Sequence, residues 1–220
     1  MRIRITFAKT GALRYIGHLD LNTIWERGTR RAGLPLAYSQ GFHPQPKIHI
    51  AAALPLGFSS RCEVLDMRLN EEMDLTELPK RLQAAMPSGI GILKVENVDE
   101  RAPAVQTQVL SAEYEATLTE AVDEPELKRK IEELLTSTSI PRERRGKKYD
   151  LRPLIEELSL IPSPLPAPFG SASRGEGQEV RVFMRLSARE GATGRPDEVL
   201  DALEISSDST QTERTRLLFQ

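Results

Sequence analysis

At 220 residues the chain is long for one compact domain and suited to two of about 100 residues each; with 39% hydrophobic and 28% charged residues it is too apolar to be disordered throughout. A single cysteine, Cys62, excludes an intrachain disulfide, a sulfur-rich zinc site and any iron–sulfur cluster that needs three thiolates from one chain. A net charge of -2 gives no global attraction to nucleic acid, so a polyanion site has to come from local clusters of Lys and Arg.

Residues 2–7 alternate strictly, with Ile3, Ile5 and Phe7 on one face of a strand and Arg2, Arg4 and Thr6 on the other. After the Lys9-Thr10-Gly11 turn, Leu21, Ile24, Trp25, Gly28 and Ala32 share one side of a helix that Gly33 ends, leaving Arg27, Arg30 and Arg31 on the solvent side. Residues 35–46 read as an ordered, proline-braced connection. Strands are expected at 47–54 and 62–69, a helix through Leu75, Leu78, Leu82 and Met86, and a strand at 90–98. The order β-α-β-β-α-β predicts a ferredoxin-like domain over 1–100, with an antiparallel sheet and two helices on one face.

Residues 101–109 lack apolar periodicity and read as a linker. The remainder, 110–220, restarts with a strand at Ala112–Leu118 spacing, then a helix opened by Asp123-Glu124-Pro125-Glu126. A short helix capped by Asp150 is expected across 150–158, with Pro153 in its first turn. A strand at 180–186, a short helix at 196–203 and a strand at 215–219 complete a second, divergent ferredoxin-like half. The whole is α+β, and 161–178, rich in Pro, Gly and Ser, reads as an exposed loop. No apolar run approaches the ~20 residues that cross a bilayer and no signal peptide is read, so the expectation is cytoplasmic.

Three places carry candidate chemistry. His18 and Asp20, with Arg14 just before them, stand at a helix entrance where backbone N–H groups favour anions; alternatively Asp20 caps the helix and His18 packs over its first turn. The helix then presents Arg27, Arg30 and Arg31. A second segment, 38–49, combines Ser39, Phe42, His43, Lys47 and His49 between prolines, a mixture suited to gripping phosphates and unstacked bases. The spacing of His18, His43 and His49 matches no familiar metal pattern, and neither a metal nor a cofactor is expected. The third is the basic run Arg142, Arg144, Arg145, Lys147, Lys148 and Arg152, able to neutralise phosphates or to serve as a solvated surface. Carboxylates cluster at Glu63, Asp66, Glu71, Glu72, Asp74 and Glu77, and no motif of a known enzyme class appears.

These segments together resemble the radical-SAM-linked proteins, a bacterial family of unknown function encoded beside, or fused to, a radical SAM enzyme. The resemblance rests on residues 13–21, on 31–35 with 39–44, on 53–57 with Glu63 and Asp66, and on 150–155 with 195–200. It departs at His43, where the family often carries Asn before Pro. What it implies is a radical SAM enzyme as partner and, through neighbouring genes for RNA processing, work on RNA; the paired layout is similar to that of pseudouridine synthases and CRISPR RNA endonucleases.

The expected function is therefore a non-enzymatic accessory protein that binds structured RNA and works with a separate radical SAM enzyme. Arg14, His18, Arg27, Arg30, Arg31, Ser39, His43 and Lys47 form its expected contact surface, and Arg144, Arg145, Lys147, Lys148 and Arg152 add backbone charge. The alternatives are an RNA-modifying or RNA-cleaving enzyme centred on His18, Asp20 and His43, and a protein-interaction module without RNA.

Overall fold

A computed structural model of the chain describes residues 1–120, 122–144, 146–162 and 180–220. They fall into two compact units, Met1–Leu110 with Arg214–Gln220, and Ser111–Glu213. The protein is mixed α+β, and its strands pair mostly antiparallel. No helix among the described residues is long and apolar enough to cross a membrane.

In the first unit the alternation at the N-terminus forms β1, Arg2–Lys9, antiparallel to β3, Ser59–Arg68, on one side and to β4, Ile90–Val98, on the other. The short β2, Ile48–Ile50, pairs with β3, so the order is β2-β3-β1-β4. Helix α1, His18–Arg31, and α2, Leu78–Ala85, cover one face: Ile3, Ile5 and Phe7 are fully buried in a core with Leu21, Trp25, Leu78 and Leu82. Phe7 and Trp25 meet edge to face, with ring centroids 4.8 Å apart. Each such side chain contributes about 1.5–3 kcal/mol on burial, which makes this layer the main source of the unit's stability.

The opposite face of β1 is only partly solvated. Arg2 is buried, and Arg2 and Arg4 both donate to Asp66 on β3, with Arg2 Nη2 2.6 Å from Oδ2 and Arg4 Nε 2.8 Å from Oδ1. Arg2 also donates to the carbonyls of Ala102 and Pro103, at 2.6 and 2.7 Å. The stretch 101–109 is thereby fastened to the sheet, and it carries a one-turn helix, α3, Val105–Gln108, with Val105 buried. Its lack of apolar period reflects this polar mode of attachment.

In the second unit β9, Val180–Arg189, is flanked by β5, Val109–Leu118, and β8, Ile155–Pro162; Leu186 faces Ala112 on one side and Ile155 on the other. Helix α4, Glu124–Thr136, starts at Asp123, whose carboxylate accepts the Glu126 N–H at 3.3 Å. A hairpin of β6, Pro141–Arg144, and β7, Lys147–Asp150, forms its own two-stranded sheet. A two-residue strand, β10, Ala192–Thr193, helix α5, Pro196–Ala202, and β11, Thr210–Phe219, follow, and from Arg214 onward β11 belongs to the first unit.

The helix expected over 150–158 is absent. Only Arg152–Leu154 makes a helical turn, and Ile155 onward is strand β8, because pairing with β9 outweighs the helix propensity of Glu156 and Glu157. Asp150 still caps locally, accepting the N–H of Ile140 at 2.7 Å and of Arg152 at 3.0 Å. Of the expected loop at 161–178, Ile161 and Pro162 end β8 and the remainder lies outside the described residues.

Candidate functional site

The C-terminal end of β1 carries a buried charge cluster. Lys9 stands opposite Ser60 and is 1% exposed; its ammonium donates to the Ile16 carbonyl at 3.2 Å. Glu63, fully buried opposite Phe7, accepts Arg214 Nη1 at 2.9 Å through Oε1, while its Oε2 has no hydrogen-bond partner. Arg214, also buried, donates to the carbonyls of Ala52 at 3.2 Å and Ala53 at 2.6 Å. Burial pushes the Lys9 ammonium below the usual lysine range; Glu63 works against that shift and Arg214 reinforces it. Burial likewise pushes the nearby Cys62 thiol up to about 11, so it is protonated and unreactive at neutral pH.

This cluster fixes two surface loops. Lys9 holds the turn Gly11–Tyr15 through Ile16, and Arg214 holds 52–53; the Gly57 N–H donates to the Arg14 carbonyl at 2.8 Å, joining the loops to each other. Thr10 donates to Gly89 at 2.8 Å, and an added Cβ at Gly89, with φ +96°, would lie 2.6 Å from the Thr10 carbonyl. The platform presents Tyr15 (61% exposed), Leu19 (80%) and Leu56 (64%), with the Arg14 guanidinium 4.7 Å from the Tyr15 ring centroid. His18 is the first residue of α1 and is exposed, rather than packed over the turn. Asp20 does not cap the helix either; Gly17 is the N-cap, and Asp20 sits exposed in the first turn, where its charge suits the helix dipole.

The loop over 39–45 is closed by Ser39, whose hydroxyl accepts the Gln45 N–H at 2.9 Å, and tethered by the Tyr38 hydroxyl donating to Glu26 at 2.9 Å. Burial and the Glu26 carboxylate push the Tyr38 phenol above its ordinary pKa. Phe42 is fully in solvent, His43 is exposed, and Lys47 is half-buried. No hydrogen bond or ion pair among the described residues joins His43 to His18 or Asp20. His49, on β2 opposite Asp66, instead lines a cavity of about 160 Å³ with Arg2, Asp66 and Arg68. No group of three His, Cys, Asp or Glu among the described residues is placed to hold a metal.

The cations divide into free and spent. Arg27 is exposed without a partner among the described residues, Arg30 reaches Glu26 only at 4.0 Å, and Arg31 donates to the Ala85 carbonyl at 2.8 Å. Arg152 is spent on the carbonyls of Leu135 and Ile155, at 2.8 and 3.1 Å, closing the end of α4. Arg142 faces Glu198 at 3.8 Å and Asp201 at 3.4 Å. Arg144, Lys147 and Lys148 are exposed, and Arg145 lies outside the described residues.

The family model described as an uncharacterized protein conserved in bacteria, DUF2344, matches residues 2–196. The chain belongs to the DUF2344 family. No curated protein matches it. Among solved structures it is similar to a chain in the crystal structure of a Cbf5-Nop10-Gar1 complex, at 11% identity and a TM-score of 0.49, covering 98% of this chain and 48% of that one. The DUF2344 chain thus spans about half the length of that neighbour.

Sequence reasoning singled out Glu63 and Asp66 in this DUF2344 chain but missed their partners. Arg2 and Arg4 had a signal, being charges on the second face of a strand one register step from an acid. Lys9 at a turn and Arg214 in the closing strand had none, since Arg214 meets Glu63 across 151 residues of chain.

Proposed function

We propose that this DUF2344 protein is a non-enzymatic accessory factor of the cytoplasm that binds structured RNA, or an RNA-containing assembly, and works beside a separate radical SAM enzyme. The observation that supports this reading most is the outer face of α1, where Arg27 stands exposed without an ion pair among the described residues and Arg30 stands exposed with only Glu26, 4.0 Å away, as a counter-charge. Arg31 belongs to the scaffold through Ala85, so the phosphate contacts fall to Arg27 and Arg30. Tyr15 and Phe42 offer exposed rings on which unpaired bases stack. The strand order β2-β3-β1-β4 with both helices on one face supports a ferredoxin-like first unit, and the order β5-α4-β8-β9-α5-β11 supports a divergent second one.

Binding of RNA from the native cell is expected to weaken steeply as salt rises, because each neutralised phosphate releases condensed counterions. Replacing Arg27 and Arg30 by Ala should weaken binding and flatten the salt slope by about two, without lowering the melting temperature. Wild-type protein that fails to bind at low salt removes the RNA reading. A protein-interaction module is the second reading, favoured by Tyr15, Leu19 and Leu56 as an exposed apolar set on the platform above Lys9. The enzymatic reading through His18, Asp20 and His43 gains no support from their exposure or from hydrogen bonds among the described residues, none of which joins His43 to the other two.

A further inference from the structure

The β6–β7 hairpin sorts its charges by position. At its base every charged or phenolic group is engaged: Arg142 with Glu198 and Asp201, Asp150 with two backbone N–H groups, and Tyr149, whose pKa burial and Glu198 push up, against α5. Toward its tip the register sets Arg144 directly opposite Lys147, and alternation along each strand puts both on the face that carries Arg142 and Tyr149. Both are exposed, and neither has a hydrogen bond or ion pair among the described residues. Like charges directly across a strand pair repel, so the tip is less stable alone than with an anion between them. Lys148 lies on the reverse face, opposite Glu143.

We infer that the Arg144/Lys147 face of this hairpin is a clamp for the phosphate backbone of duplex RNA, with Arg142, Tyr149 and Asp150 anchoring the arm. This rests on the RNA reading above and specifies the mode of contact. A two-stranded ribbon tip with one Arg and one Lys grips charge and shape, so the contact is independent of base sequence. The separate sheet of the hairpin means that the tip can change without disturbing the strands around β9.

The test is binding of the full chain to a labelled RNA stem-loop across a salt series. The double substitution R144Q/K147Q should weaken binding about tenfold and lower the salt slope by about two, with a melting temperature equal to or above wild type. The charge-conserving pair R144K/K147R should keep the wild-type slope; if it loses it, the phosphate clamp is overturned. Wild-type binding with an unchanged slope in R144Q/K147Q overturns the clamp and leaves the RNA reading standing. No binding by the wild type overturns both.

Discussion

Removing the charge of Glu63 would take from buried Arg214 its 2.9 Å ion pair and from buried Lys9 a nearby negative charge, and this sets the clearest expectation for a single residue. Glu63→Gln keeps the shape and deletes the charge, so it should cost about 3–5 kcal/mol, the usual penalty for breaking one partner of a buried pair. Since whole domains are stable by only about 5–15 kcal/mol, denaturant unfolding should register the loss as a large fall in midpoint. Adding Arg214→Met should restore part of it, because the second substitution removes one of the stranded charges. A Glu63→Gln protein as stable as wild type would show that the cluster is neutralised by other means.

At the scale of elements, the hairpin base offers a pH test. Backbone N–H donation from Ile140, then from Arg152, holds the Asp150 carboxyl below its ordinary 3.8. Its folded value lies under its unfolded one, so its stabilisation is complete above the unfolded pKa and is lost as pH falls through the folded one. Asp150→Asn should therefore destabilise the protein at neutral pH and flatten the acid limb of a stability-against-pH curve below about pH 4. Elements whose pattern was local were legible in the sequence: the Ile-Arg alternation of β1, the apolar stripe of α1 and the Asp-Glu-Pro opening of α4 each appear where their residues put them. The segment from Ile155 was not legible, because its choice between helix and strand was made by a neighbour, β9, rather than by its own residues. The same holds for the site: the Gly17-His18 helix start is local, whereas the Lys9–Glu63–Arg214 cluster depends on register and on distant chain.

For the whole molecule, the division of the chain matters most. The first unit is made of Met1–Leu110 and Arg214–Gln220, with the second unit's residues lying between them in sequence. Deleting residues 214–220 should therefore harm the first unit rather than the second. It strips Glu63 of its guanidinium and frees the carbonyls of Ala52 and Ala53, and hydrogen exchange should rise across β1 and β3. Full protection of those strands in the shortened chain would contradict this. On the ribosome the same layout imposes an order of events: residues 1–110 are made before residues 111–213, yet their unit lacks Arg214 and the end of β11 until residues 214–220 are made. During translation Glu63 has to wait for its guanidinium while residues 111–213 are made, so of the two units the one begun earlier is the later to be completed.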